Sequence, residues 1–344
     1  MAKVTTVGLD IAKSVFQVHG VDATGEVILK RKLARVRVVP FFEKLGRCLV
    51  GIEACATSHY WARELRRLGH DVRLMPPSYV KPYVKRQKND SADAEAICEA
   101  VTRPSMRYVE VKTPEQQSVM VLHRTRSMLM RQRIQLSNAI RAHMAEFGLI
   151  APIGREGLQR LIDIVHDEQD NRVPSEARIC LQMMAAQLQL VNEQVLENDR
   201  RIRASARSTD TGRRLMAIPG IGPLLASAFV ATIPDPTTFK SGRNLAAWIG
   251  LVPRQNSSGG KERLGGITKQ GNRYLRQLLV VGAMAVIRYA ERHGTRRPWL
   301  VQLMARRTTK IAAVALANKI ARMAWAMMVS GERFKEPTLL PAAA

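Results

Sequence analysis

Apolar and polar positions alternate in short runs through the first hundred residues, then recur at helical spacing through the rest of the chain. "VTTVGLD" and "SVFQVHGV" read as strands, "DATGE" as the turn after the second, and "VILKRKLA" as a third strand. "LVGIEA" is a fourth strand. A helix follows over about residues 58–68, stopped by Gly69, and "DVRLM" is a fifth strand ended by Pro76 and Pro77. "NDSADAEAICEAV" closes the region as a helix. A three-strand meander followed by alternating helices and strands predicts an α/β domain of ribonuclease-H-like (RuvC-like) order over residues 1–112.

The spacing changes near Thr113. Residues 114–147 predict one long helix, with Leu122, Leu129 and Leu136 a heptad apart and Ile140 and Phe147 continuing the stripe. A second helix over about 175–204 carries the seam Leu181, Met184, Leu188, Val191, Val195, Asn198, Ile202 in 4-3 steps. This is coiled-coil spacing, and it predicts a helical coiled-coil segment over 113–206, either an intramolecular hairpin or a dimer contact. Residues 207–332 predict a mostly α-helical C-terminal domain broken by two glycine-rich loops, and 333–344 a disordered tail. The first loop, "IPGIGP", resembles the hairpin of a helix-hairpin-helix motif, in which Gly220 and Gly222 expose backbone N–H groups to a DNA phosphate.

Composition narrows the function. At 46% hydrophobic residues the 344-residue chain has material for real cores, which excludes a disordered basic tail. It holds 54 Lys and Arg against 29 Asp and Glu, a net charge of +25. Residues 206–344 hold 22 basic and 6 acidic residues, so the last third is the strongest candidate for a nucleic-acid surface. Cys48, Cys55, Cys98 and Cys180 form no CxxC pair and read as reduced packing residues of a cytoplasmic, nucleoid-associated protein. "MAKVTTVGLD" lacks a signal-peptide core, and the longest apolar run, Leu278 to Ile287, is too short to span a bilayer, so no membrane is expected.

Against this basic background four carboxylates stand out. Asp10 and Glu53 end strand-like runs, and Asp90 and Asp93 lie one helical turn apart. Clustered acids repel a polyanion unless a divalent cation neutralises them, and oxygen donors of this kind suit Mg²⁺ or Mn²⁺. Metal-dependent phosphodiester chemistry on nucleic acid follows. The plainer alternative is that Asp90 caps its helix with Asp93 in the first turn.

Three basic stretches complete the picture. "PPSYVKPYVKRQKND" interleaves Lys81, Lys85, Arg86 and Lys88 with Tyr79 and Tyr83, a pattern that holds a nucleic-acid strand. "RQNSSGGKERLGG" sets Ser257 and Ser258 beside two glycines, with Arg254, Lys261 and Arg263 flanking and Lys269 beyond; a serine in such a cradle can act as a nucleophile. Asn272 then starts a helix that offers Arg273 and Arg276 at its N-terminus, a phosphate-binding arrangement.

Together "GLDIAKSVFQVHG", "IEACATSHYWARELRRLGHDVRLMPP", "YVKPYVKRQKNDSADAEAICEA", "IPGIGPLLASAFVA" and "SSGGKERLGGITKQGNRYLRQLL", in this order, resemble the DEDD-type transposases of insertion-sequence family 110, subgroup 1111. One departure is Ala-Cys-Ala after Glu53, where the wider family often has Ala-Thr-Gly. The resemblance implies a Holliday-junction-resolvase-like domain with Asp10, Glu53, Asp90 and Asp93 as the DEDD set on Mg²⁺. It implies a nucleophilic serine, Ser258 by position with Ser257 as fallback, in composite sites between subunits of a homodimer or homotetramer. It also implies a structured noncoding bridge RNA that pairs with donor and target double-stranded DNA. A site-specific invertase, a junction-resolving nuclease that uses water, and a non-enzymatic nucleic-acid binder are the competing readings.

Overall fold

A computed structural model of the chain describes residues 3–85, 89–294 and 297–335. The chain divides into two compact units, Met1–Pro114 and Glu115–Ala344. Most of the expected tail, residues 336–344, lies outside the described residues.

In the first unit the expected strands form: β1 (Thr6–Ile11), β2 (Val15–Val21), β3 (Val27–Ala34), then helix α1 (Val38–Lys44), β4 (Leu49–Glu53), α2 (Ser58–Arg67), β5 (Asp71–Met75), the single turn α3 (Pro77–Val80) and α4 (Asp90–Val101). They make one mixed sheet in the order β3-β2-β1-β4-β5. β1 runs antiparallel to β2 and parallel to β4, and β4 runs parallel to β5. Strand alternation sends Val7, Leu9, Phe16, Val18, Val50 and Ile52 into one core with Val38 and Phe42 of α1 and Trp61 and Leu65 of α2. α1 is absent from the sequence reading because "VVPFFEK" is too short to show a helical period; Val38 and Phe42 nonetheless bury its inner face.

α4 covers the opposite face of the sheet. It can lie this close because the strands carry glycine beneath it: a Cβ on Gly8 would sit 2.1 Å from the Ala94 carbonyl oxygen, and one on Gly51 2.8 Å from Val101 Cβ. Cys48 and Cys98 are buried as expected of packing residues, but Cys55 and Cys180 are exposed; all four are free thiols.

The second unit begins with three helices, α5 (Pro114–Glu146), α6 (Arg155–His166) and α7 (Ser175–Ser208). α5 and α7 pack antiparallel: Arg126 pairs with Asp199, Leu129 packs with Val191 and Val195, and Ile140 and Met144 share a core with Leu181 and Leu188. The heptad seam is therefore used within the chain: its members except the half-buried Met184 are buried, as the hairpin alternative expects. α6, which the periodicity did not reveal, adds Leu161 and Val165 to that core.

Among the described residues six more helices follow: α8 (Asp210–Leu215), α9 (Pro223–Thr232), α10 (Gly242–Ile249), α11 (Arg273–His293), α12 (Pro298–Arg306) and α13 (Thr309–Ser330). Phe229, Leu245, Leu279, Ile287 and Ile320 lie at their common core. α13 is long and apolar enough to cross a membrane by length and composition; its apolar residues from Ala312 to Met327 line this core instead. Between α10 and α11 a small antiparallel hairpin, β6 (Pro253–Gln255) and β7 (Leu264–Ile267), stands out from the unit with nearly every residue exposed. A buried polar chain ties the unit together: His123 of α5 bonds Tyr274 Oη of α11 at 2.9 Å through Nδ1 and Ser227 Oγ of α9 at 3.1 Å through Nε2.

Candidate active site

The carboxylates meet because three elements converge. Leu9 pairs with Ile52 in the β1–β4 ladder, so the next step of that parallel register sets Asp10 beside Glu53. α4 starts above these strand ends, capped by Asn89, whose side chain accepts the Ser91 N–H at 3.0 Å. With Asn89 as the cap, Asp90 and Asp93 are left free in the first turn. Carboxylate oxygens of Asp10, Asp90 and Asp93 lie within 4.8 Å of one another. Glu53 stands outside that trio but close enough to feel it.

No cation offsets this charge: among the described residues none of the four acids is ion-paired. Burial, then Asp93 and Asp90, raise the Asp10 carboxyl above its ordinary range. Burial, then Asp10 and Asp93, raise Glu53 likewise. Like charges that must share a half-buried site without a counterion fit a hard divalent cation, which accepts oxygen ligands of this kind. Gln17, opposite Asp10 on β2 and on the same face, is a polar neighbour that the motif reading passed over, although strand alternation alone would have found it.

The basic stretch upstream is only partly available. Lys81 is exposed, Lys85 is ion-paired with Glu95, and Tyr83 packs against the Val80–Ile97 cluster rather than facing outward. Tyr79 is exposed; Arg86 and Lys88 lie outside the described residues.

In the second unit the serine loop is the tip of the β6–β7 hairpin. Lys261 N–H donates to the Ser258 carbonyl at 3.1 Å across Gly259 and Gly260, whose φ values of 56° and 75° are those of a type I′ turn. The two serines differ. Ser257 Oγ accepts the Arg263 N–H at 3.1 Å and so holds the hairpin together. Ser258 Oγ has no hydrogen-bond partner among the described residues and stands exposed. Arg254, Lys261, Arg263, Lys269 and Arg273 are exposed along the hairpin and up to the start of α11.

Arg276 does not join them. Its guanidinium donates to the Ile249 carbonyl at 2.6 Å and the Gln270 carbonyl at 3.0 Å, closing the end of α10, and this structural use occupies the group the sequence offered to phosphate. Gly220 also has a packing role: it turns with φ 95° and presses against Gly282 of α11 and Ile320 of α13. Gly222 is open, with nothing within 4 Å of the position a Cβ would take.

A carboxylate cluster at strand ends, followed by a basic helical unit, is an arrangement suited to a metal ion beside a polyanion. Residues 7–148 match the DEDD transposase model of IS110, described as "Transposase", and residues 212–297 match the model "Transposase IS116/IS110/IS902 family". Over 324 residues the chain is 49% identical to a "Probable family 20 transposase" of Pseudomonas aeruginosa, covering 94% of this chain and 96% of that one. It is 39% identical to the "Transposase for insertion sequence element IS1111A" of Coxiella burnetii (97% and 92% covered). The "Transposase for insertion sequence element IS1328" of Yersinia enterocolitica is 36% identical (98% and 100% covered). The chain belongs to the IS116/IS110/IS902 family of insertion-sequence transposases, and its activity is DNA transposition.

Proposed function

We propose that this transposase cuts and rejoins DNA through a covalent serine intermediate, with Ser258 as nucleophile and Asp10, Glu53, Asp90 and Asp93 as its acidic partners. The observation that carries the reading is the unpaired convergence of Asp10, Asp90 and Asp93. The sheet order supports a ribonuclease-H-like (RuvC-like) first domain, and the free hydroxyl of Ser258, against the tethered one of Ser257, supports the choice of serine.

Ser258 Oγ attacks the phosphorus of the scissile phosphodiester and its proton passes to the carboxylate set. The bond from phosphorus to the leaving oxygen breaks, that oxygen takes up the proton the carboxylate set received from Ser258, and the strand departs as a hydroxyl. Attack by the hydroxyl of an incoming strand on the phosphoserine then restores Ser258 and closes the new phosphodiester. Mg²⁺ or Mn²⁺ held by the four carboxylates would supply charge neutralisation for the phosphate and lower the cost of deprotonating the serine. Arg254, Lys261, Arg263, Lys269 and Arg273 hold the DNA backbone at the hairpin, and Gly222 offers its backbone to a phosphate in the helix-hairpin-helix-like turn.

In this reading donor and target duplexes are chosen by a structured noncoding bridge RNA through base pairing. The protein acts as a homodimer or homotetramer on the nucleoid in the cytoplasm. The excess of cations in the second unit supports binding of more than one polyanion. The test is expression with the native flanking DNA, sequencing of co-purified RNA, and trapping of protein–DNA adducts. A discrete flank-derived RNA and an adduct lost in Ser258→Ala are expected. Normal recombination by Ser258→Ala would overturn the serine assignment, and strand cleavage without any adduct would favour attack by water.

A further inference from the structure

The second unit carries another basic feature, apart from the serine hairpin and lined by none of its residues. α10, α12 and α13 border an open cavity of about 730 Å³ whose lining includes Arg243, Trp299, Asn318, Lys319, Arg322 and Trp325. None of these three helices contains an Asp or Glu. Arg243, Lys319 and Arg322 make no ion pair among the described residues. The cavity is therefore a site of uncompensated positive charge.

Its aromatic members are held in place. Trp325 donates its indole N–H to the Pro236 carbonyl at 2.9 Å. Lys319 Nζ lies 4.4 Å from the centroid of the Trp299 ring, which is 36% exposed. Asn318 uses its amide N–H on the Leu251 carbonyl at 3.2 Å, so its own carbonyl remains as an acceptor at the wall. Gly242, at the start of α10, lies directly on α13: a Cβ there would come within 3.0 Å of Arg322 Cα. The positive end of α10 thus opens beside Arg322. A merely solvated basic surface has no need of an exposed indole or of a concavity this large.

We propose that this cavity binds unpaired DNA, with bases stacking on Trp299 and Trp325 while Arg243, Lys319, Arg322 and the start of α10 hold the flanking phosphates. Fixed aromatic faces interleaved with cations are the chemistry of single-strand binding, because stacking needs a base face that a duplex keeps hidden. The inference rests on the proposed strand exchange, which exposes unpaired DNA once a strand has been cut and released. DNA is the committed occupant because it is the substrate of transposition.

The test is binding of fluorescent oligothymidylate to the full-length protein, read by anisotropy and by quenching of tryptophan fluorescence. Wild type should bind and be quenched. Trp299→Ala, at an exposed position, should weaken binding about tenfold and Trp299→Phe should restore most of it. Arg243→Ala with Arg322→Ala should reduce the slope of log affinity against log salt by about 1.4. Unchanged affinity and slope in these variants would overturn the site, and stronger binding of oligouridylate of the same length would overturn the DNA assignment in favour of RNA. Ser258→Ala should bind oligothymidylate as wild type does. If Ser258→Ala also recombines normally while Trp299→Ala loses the oligonucleotide, the serine chemistry falls and the binding site stands.

Discussion

The two units handle charge in opposite ways. The first gathers carboxylates at the ends of central strands and in the first turn of a capped helix, with no ion pair to them among the described residues. The second pairs some of its arginines, as in Arg126–Asp199 and Arg214–Asp210, but leaves an excess of exposed cations on the β6–β7 hairpin and on α10 and α13 with no ion pair among the described residues. A metal ion needs ligands fixed to within a fraction of an ångström, whereas a long polyanion needs reach and charge more than precision. The same contrast separates two kinds of failure: a change in the first unit should abolish chemistry, and a change in the second should first alter binding.

The sharpest break of that contrast is Asp93→Asn. Loss of strand cleavage by about 10³-fold or more is expected, the scale on which single charge-stabilising groups count, with DNA binding by gel shift retained. Loss of binding to the same degree would mean that the cluster is not a separate chemical site. Next comes the serine pair. Ser258→Ala should remove the covalent adduct entirely, while Ser257→Ala, which frees only the Arg263 N–H, should keep activity within about tenfold. Equal loss in both would show that the hairpin matters as a whole.

Two further experiments compare the cores. Gly8→Ala drives a methyl onto the Ala94 carbonyl and should destabilise the first unit by about 3 kcal/mol in urea unfolding, lifting α4 from the sheet. In the second unit, burial and then Arg126 push His123 down to about 4. Its contribution is present above the unfolded value near 6.5 and is lost as pH falls toward 4, a decline of about 3 kcal/mol. Denaturation at pH 7 and pH 4.5 should reveal it, and His123→Gln should flatten that part of the profile. The smallest effect concerns Asp10. A carboxyl raised by burial and like charge is most favourable while protonated and costs stability as pH rises through its folded value. Asp10→Asn should therefore raise the metal-free melting temperature at pH 7 by about 3 °C. Mg²⁺ should stabilise wild type but not this variant.

What could be read in advance followed from local pattern. Strict alternation placed β1, β2, β4 and β5, and so put Asp10 and Glu53 at strand ends; i, i+3 spacing joined Asp90 to Asp93. The heptad seam gave both long helices, but whether they met within one chain depended on partners a periodicity cannot name. The same limit applies elsewhere. Arg276 looks like its neighbour Arg273 until the Ile249 and Gln270 carbonyls are beside it, and Gly220 looks like a phosphate turn until Gly282 is against it. The Trp299–Arg322 cavity unites residues from three helices, each unremarkable in its own segment.

The α5–α7 hairpin has one more consequence. Because apolar positions on α7 recur every seven residues, the pair is indexed like a ratchet. Excising one heptad from each helix would shorten the arm by about 10 Å while every surviving tooth still found its slot. Excising two residues from one helix alone would rotate its greasy edge by about 200° and turn it outward. Length along this arm is thus adjustable only in whole steps, a built-in gauge block between whatever its two ends engage.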